Sequence, residues 1–155
     1  MAVEIERKFL IDIQKFVKPH EGLIIKQAFL SSDKERVVRI RIIGDQAFLT
    51  IKGISSGMSR DEFEYSIPVR DAEELIENLC EKPIIEKIRY RIEYKNHIWD
   101  VDFFSGDNEG LVVAEIELQS EEEKFEMPEW LGEEVTGDER YYNVCLVSRP
   151  YLSWE

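Results

Sequence analysis

Residues 3–11 read Val3-Glu4-Ile5-Glu6-Arg7-Lys8-Phe9-Leu10-Ile11. In an extended strand successive side chains point to opposite faces, so Glu4, Glu6 and Lys8 share one face while Val3, Ile5 and Phe9 share the other, with Arg7 the exception. One face is therefore wholly charged. The same alternation returns downstream, where Arg39 and Arg41 oppose Val38, Ile40 and Ile42, and Glu62 and Glu64 oppose Phe63, Tyr65 and Ile67. Lys87 and Arg89 oppose Ile88 and Tyr90, Asp100 and Asp102 oppose Trp99, Val101 and Phe103, and Glu115 and Glu117 oppose Ala114, Ile116 and Leu118. Lys52 adds one more cation after Phe48 and Thr50.

This period-two pattern predicts strands at 3–11, 22–31, 36–44, 46–53, 60–68, 84–95, 97–104 and 111–119, mostly antiparallel, with turns at Gly44-Asp45 and Asn96-His97 and loops at 53–59 and 105–110. Three helices are expected. The first, 71–82, opens on Asp71 as N-cap with Glu74 three residues on; the second, 120–127, repeats the motif with Ser120 and Glu123 before Pro128; the third runs from 138 to 148 and is stopped by Pro150.

Alternation alone fits an ordinary antiparallel sheet with its core on one side and water on the other. Three features favour an enclosed charged face instead. Each strand's charged pair has a single sign, whereas a solvated face would mix signs; same-side neighbours ~7 Å apart repel by about 0.6 kcal/mol in water and about 2.4 kcal/mol at a dielectric of 20. The face also carries acids at 4, 6, 62, 64, 100, 102, 115 and 117 and bases at 8, 39, 41, 52, 87 and 89, with few neutral polar residues among them. Hard oxygen ligands suit Mg²⁺ or Mn²⁺ and an Arg/Lys fork suits phosphate oxygens, so the set suits a metal–polyphosphate complex. Finally, eight strands is the number at which a closed barrel can hold one small ligand. The expected fold is α+β, mainly β: a closed eight-stranded antiparallel barrel with a charged interior, its apolar exterior covered by the three helices.

Composition narrows the alternatives. The 155 residues suit a single domain, 1–155, and no apolar run approaches the ~20 residues of a membrane span. The opening MAVEIERKFL lacks the basic-then-apolar order of a secretory signal, so a cytoplasmic protein is expected. Cys80 and Cys145 have no metal-site spacing, and two histidines, His20 and His97, leave little room for imidazole catalysis. A net charge of −13 argues against nucleic-acid affinity. The excess is uneven: the first 102 residues hold 19 acids and 17 bases, the remainder 14 acids and 3 bases. The cations thus concentrate in the strand-rich part.

The chain resembles the CYTH superfamily of triphosphate tunnel metalloenzymes, which includes class IV adenylyl cyclases, thiamine triphosphatases and short bacterial tripolyphosphatases. Glu4-Ile5-Glu6-Arg7-Lys8 matches its ExExK signature, and the likeness continues through RIR at 39–41, TIK at 50–52, SRDEFE at 59–64, EKIRY at 86–90, DVDFFSG at 100–106, AEIEL at 114–118 and GEEVTGDERYYN at 132–143. The resemblance implies an eight-stranded tunnel that binds a triphosphate with Mg²⁺ or Mn²⁺. It puts Lys8, Arg39, Arg41, Lys52, Lys87 and Arg89 on the triphosphate, with Arg140 the one cation of its own segment. It puts Glu4, Glu6 and Glu117 on a first metal, while Glu62, Glu64, Asp102 and Glu115 would orient the cations or hold a second. Two departures stand out: Phe29 replaces a tyrosine common in relatives, and Glu139 and Tyr142 stand where many carry lysines.

The activity expected is metal-dependent hydrolysis of inorganic tripolyphosphate to pyrophosphate and phosphate, with Lys8, Glu4, Arg41 and Lys87 central. Adenylyl cyclase and thiamine triphosphatase use the same cage with a different organic end, and a sensor that binds without turnover is the alternative from another class. The expected partner is a small-molecule triphosphate, and an uncovered apolar outer face would favour a homodimer.

Overall fold

β-Branched and aromatic residues alternating with ions make strands, because one side of the ribbon can be buried in apolar contacts while the other stays ionic. The computed structural model describes residues 3–154; residues 1, 2 and 155 of the expected domain lie outside the described residues. Among the described residues nine strands form, β1 (Val3–Ile11), β2 (Leu23–Asp33), β3 (Arg36–Ile43), β4 (Gln46–Lys52), β5 (Ser59–Ile67), β6 (Ile85–Tyr94), β7 (His97–Phe104), β8 (Val112–Leu118) and β9 (Leu131–Glu134). They pair antiparallel in the order β5-β4-β3-β2-β6-β7-β8-β1, and β1 returns to β5, so the expected eight strands close into a ring.

The seam is short. It consists of Val3↔Asp61, Glu4↔Arg60 and Ile5↔Ser59, while the other edge of β1 pairs with β8 as far as Leu10. The rest of the seam edge is taken by β9, at Phe9↔Glu134 and Ile11↔Leu131. This ninth strand was not expected, since four residues reading Leu-Gly-Glu-Glu carry no usable period. It accounts for Arg7: the guanidinium grips Glu134 through Nε at 2.8 Å and Nη2 at 2.6 Å on the outer face. The β6–β7 turn also shifts by one residue from expectation. Lys95 and Asn96 both have positive φ, 48° and 67°, as a two-residue hairpin turn requires, and His97 begins β7.

Two apolar layers cover the outside. Helix α1 (Val69–Asn78) lays Ala72, Leu75 and Ile76 over Ala28, Ile40 and Ala47. Asp71 is not its cap: the helix starts two residues earlier behind Pro68, which places Asp71 in the first turn with no capping hydrogen bond. The second layer centres on Phe9, Trp99, Val101, Ala114 and Ile116, with Phe16, Phe125 and Trp130 folded over them. The helix expected at 120–127 does not form. Glu123 does reach back to the Gln119 amide, as a capping residue would, but only one turn follows. Four acids in eight residues offer a helix little to pack, and Phe125 is drawn instead against Trp99 at 5.6 Å and under the Arg7 guanidinium at 4.9 Å.

The third expected helix is broken and lies elsewhere. A 3₁₀ turn at 139–141 is followed by extended Tyr142, the short helix α2 (Asn143–Ser148) and another 3₁₀ turn at 151–153. This segment does not cover the exterior. Tyr141, Val144, Leu146 and Val147 pack on Phe29, Val37, Ile85, Phe104 and Val113, which share the inward faces of Gln27, Arg39, Lys87, Asp102 and Glu115. The barrel therefore has an apolar floor, and its interior is ionic above that floor only. On the outside, Val3, Ile51, Phe63 and Tyr65 remain an exposed strip over β1, β4 and β5. Among the described residues no helix is long and apolar enough to cross a membrane.

Because Leu146 is fully buried in the floor, Leu146→Ala should lower the free energy of unfolding by about 2–5 kcal/mol, read as a shift in urea midpoint at unchanged slope.

Candidate active site

Strand parity delivers the ionic residues to one cavity of about 580 Å³. Its walls carry Lys8, Arg39, Arg41, Lys52, Lys87 and Arg89 together with Glu4, Glu6, Glu62, Glu64, Glu115 and Glu117. Two expected site residues are placed differently. Asp102 lies fully buried behind the wall, and Arg140 lies outside the cavity, its guanidinium exposed and paired with Asp138 at 2.7 Å beside Tyr141 and Trp154. The segment 138–141 turns as a 3₁₀ element capped by Asp138, which carries Arg140 to the surface.

Asp102 organises one side. Its carboxylate takes Lys87 at 2.8 Å and a bidentate pair from Arg89 at 2.7 and 2.9 Å. Both oxygens are thereby engaged, which suits orientation of the cations and leaves little for a metal. Burial alone would raise Asp102, but Lys87 and Arg89 hold its carboxyl well below the usual carboxylate range. Burial also pushes Lys87 down, to about 7, although Asp102 pulls the other way. Arg89 continues to Asp100 at 3.7 Å, which also meets Arg91 at 3.5 Å.

The opposite side is organised by smaller groups. Lys52 bridges Glu4 at 3.3 Å and Glu62 at 3.2 Å; Arg39 reaches Thr50 at 3.2 Å and Glu64 at 3.6 Å; Lys8 meets Glu115 at 3.7 Å. Burial would raise Glu115, yet Lys8 and the other nearby cations hold it down at about 2. Of the twelve charged wall residues just named, three have no ion pair among the described residues. Arg41, held only by Gln27 at 3.1 Å, is pushed down to about 9 by burial and by the neighbouring Arg39 and Arg89. Glu6 and Glu117 stand directly opposite each other across β1 and β8, and both are raised, by burial and then by other carboxylates: Glu115 and Glu4 for Glu6, Glu4 and Asp100 for Glu117. Like charges facing across strands repel, and Lys8 and Lys52, the cations nearest Glu6, offset this only in part.

Sequence reasoning missed several wall residues. Arg60 and Arg91 extend the alternation of β5 and β6 by one step each and were readable from it. Asn143 was not, since a lone asparagine at the start of a short helix has no period. The wall also includes apolar Leu23, Phe29, Val37, Ile43, Phe48 and Val144.

Comparison with known proteins fits this geometry. The model of the CYTH domain matches residues 2–149. The chain belongs to the CYTH family. An inorganic triphosphatase of Acetivibrio thermocellus is 47% identical over 155 residues, covering all of this chain and 99% of that protein. One from Nitrosomonas europaea is 34% identical over 147 residues, 92% of this chain and 95% of that one. A crystal structure of an inorganic triphosphatase superposes with a TM-score of 0.65 at 32% identity, covering 92% of this chain and 96% of the other.

In this CYTH chain the crowding of carboxylates has a measurable cost. A carboxyl whose pKa is raised in the folded state stabilises below its unfolded value of ~4.3 and loses that contribution as pH rises through the folded value. Glu6 therefore strains the unliganded protein at neutral pH. Glu6→Gln should raise the Tm of the metal-free protein at pH 7, by about 2–4 °C for each kcal/mol relieved, and leave it unchanged near pH 4.

Proposed function

We propose that this protein hydrolyses inorganic tripolyphosphate to pyrophosphate and phosphate inside the tunnel, with Mg²⁺ or Mn²⁺ as cofactor. The observation that carries the reading is the convergence of Lys8, Arg39, Arg41, Lys52, Lys87 and Arg89 on one cavity in which Arg41 has no carboxylate partner. The names of the relatives support the same substrate.

The donor set fits a hard divalent ion. Among the described residues no three His, Cys, Asp or Glu side chains already form a metal cluster, but Mg²⁺ is commonly held by one or two carboxylates with substrate phosphates completing the sphere. Glu6 and Glu117, facing and uncompensated, with Glu4 beside them, would hold it. Bound there it would neutralise phosphate charge and polarise a phosphoryl oxygen.

The chain's own residues do the rest. Phosphoryl transfer asks mainly for positioning and charge compensation, and Arg39, Arg41, Arg89 and Lys52 supply donors to the phosphate oxygens. Water attacks the terminal phosphorus in line with the bridging oxygen, the P–O bond to pyrophosphate breaks, and the water proton must leave. Lys87, held by burial at about 7, is neutral often enough near neutrality to accept that proton. Lys8 and the arginines balance the charge growing on pyrophosphate.

The decisive experiment supplies tripolyphosphate, ATP and thiamine triphosphate with either metal and reads phosphate, pyrophosphate and cyclic nucleotide separately. Tripolyphosphate turnover to phosphate plus pyrophosphate is expected; binding without turnover would make the protein a sensor. Arg39→Ala and Lys52→Ala should raise KM, and Glu4→Gln should abolish metal-dependent turnover in a folded protein. Normal rates in Glu4→Gln would remove Glu4 from the metal site.

For the proton step, kcat/KM should fall as pH drops below about 7, because Lys87 then carries its proton. Lys87→Arg, permanently charged, should keep KM within a few-fold while kcat drops about 10²–10⁴-fold.

A further inference from the structure

The floor of the tunnel reaches into the catalytic chamber. Asn143, the first residue of α2, presents its side-chain Oδ1 to two buried donors at once: Lys87 Nζ at 2.8 Å and Gln27 Nε2 at 2.7 Å. Gln27, itself fully buried, uses its own Oε1 to take Arg41 Nε at 3.1 Å. A continuous polar chain thus runs from Arg41 on β3 through Gln27 on β2 and Asn143 on α2 to Lys87 on β6 and Asp102 on β7. A few residues away the carbonyl of Tyr141 accepts from Lys8 Nζ at 3.3 Å, so the segment entering α2 touches two of the three tunnel lysines, Lys8 and Lys87.

The alternatives for fixing Lys87 are few. Asp102 supplies one acceptor, and the Phe104 ring lies 5.3 Å from Nζ. Residue 29, also in the floor, is phenylalanine and offers no hydroxyl. An ammonium with one partner could still swing about its four-carbon stem, whereas two acceptors from different elements set its direction.

We propose that Asn143 is the positioning residue for Lys87, and that the α2 segment is thereby a working part of the catalytic chamber as well as its floor. The inference rests on the reading above that Lys87 serves turnover. Gln27 fixes the Asn143 amide so that its oxygen, and not its nitrogen, meets the lysine. Arg41, tied to the other end of Gln27, is coupled to the same device.

A double-mutant cycle tests it. Asn143→Leu keeps the volume and removes the acceptor; kcat for tripolyphosphate should fall about 10- to 100-fold with KM within about threefold, the signature of a misplaced catalytic group. In a Lys87→Ala background the same change should alter kcat less than twofold, because there is no lysine left to place. Asn143→Ala provides a second variant should leucine disturb the floor, with thermal melts reporting whether each protein is folded. Multiplicative losses in the double variant, or an unchanged kcat in both folded Asn143 variants while Lys87→Ala is impaired, would overturn the role of Asn143 alone. A Lys87→Ala protein as fast as the parent would instead overturn the assignment of Lys87, and the positioning role with it.

Discussion

Closing a sheet around charged side chains takes them out of water, and every ion so enclosed must meet an opposite charge or be driven toward neutrality. The barrel interior is arranged by that constraint. Asp102 answers Lys87 and Arg89, Lys52 answers Glu4 and Glu62, Glu64 answers Arg39, and Glu115 answers Lys8. What these pairings leave over is informative. Of the twelve charged wall residues named above, Arg41 is left without an opposite charge, and so are Glu6 and Glu117. An anion and a divalent cation entering together would complete the set, and that complementarity is what the proposed metal–polyphosphate complex rests on.

The parity of the strands made most of this visible in the sequence. Single-signed pairs at 39/41, 62/64, 87/89, 100/102 and 115/117 cannot lie at ease on a wet face, and their inward direction follows from the apolar residues between them. Features that depend on tertiary rather than local order were not visible. β9 exists because the edge of β1 beyond Ile5 needs a partner, and nothing in Leu131–Glu134 announces it. The segment 120–127 has the start signal of a helix, yet the aromatic layer around Trp99 holds Phe125 more strongly than four acidic residues hold a helix. Arg140 was expected in the tunnel from the resemblance of its segment, and the 3₁₀ turn capped by Asp138 that carries it to the surface is not announced by the local sequence. Asn143 acquires meaning solely through Lys87 and Gln27, which lie 56 and 116 residues away.

β1 carries both the ring's weakest joint and three of its site residues, and the surroundings compensate. Its amides and carbonyls are engaged by β8 on one edge and by β5 and β9 on the other. Around Lys8 the backbone is gripped twice more, by Thr136 Oγ1 accepting from its N–H at 2.9 Å and by the Val135 N–H donating to its carbonyl at 2.8 Å. Arg7 and Glu134 clamp the outer side. A strand whose inward residues repel one another is thus held by its edges and its back.

The same division explains where stability can come from. Buried ion pairs return little net free energy, because desolvation offsets much of their attraction, whereas apolar burial contributes roughly 25 cal/mol per Å². The layers around Trp99 and Ala72 and the floor around Leu146 must therefore hold the barrel shut, while the ionic chamber keeps like charges close together at a cost those layers offset. Each strand contributes to both through alternate residues. A one-residue slip in any of them would expose the apolar layer and bury the ions against it, so register is fixed from both faces at once. At the floor the two layers meet, in the single residue whose helix packs with the apolar cluster while its amide oxygen faces the lysine.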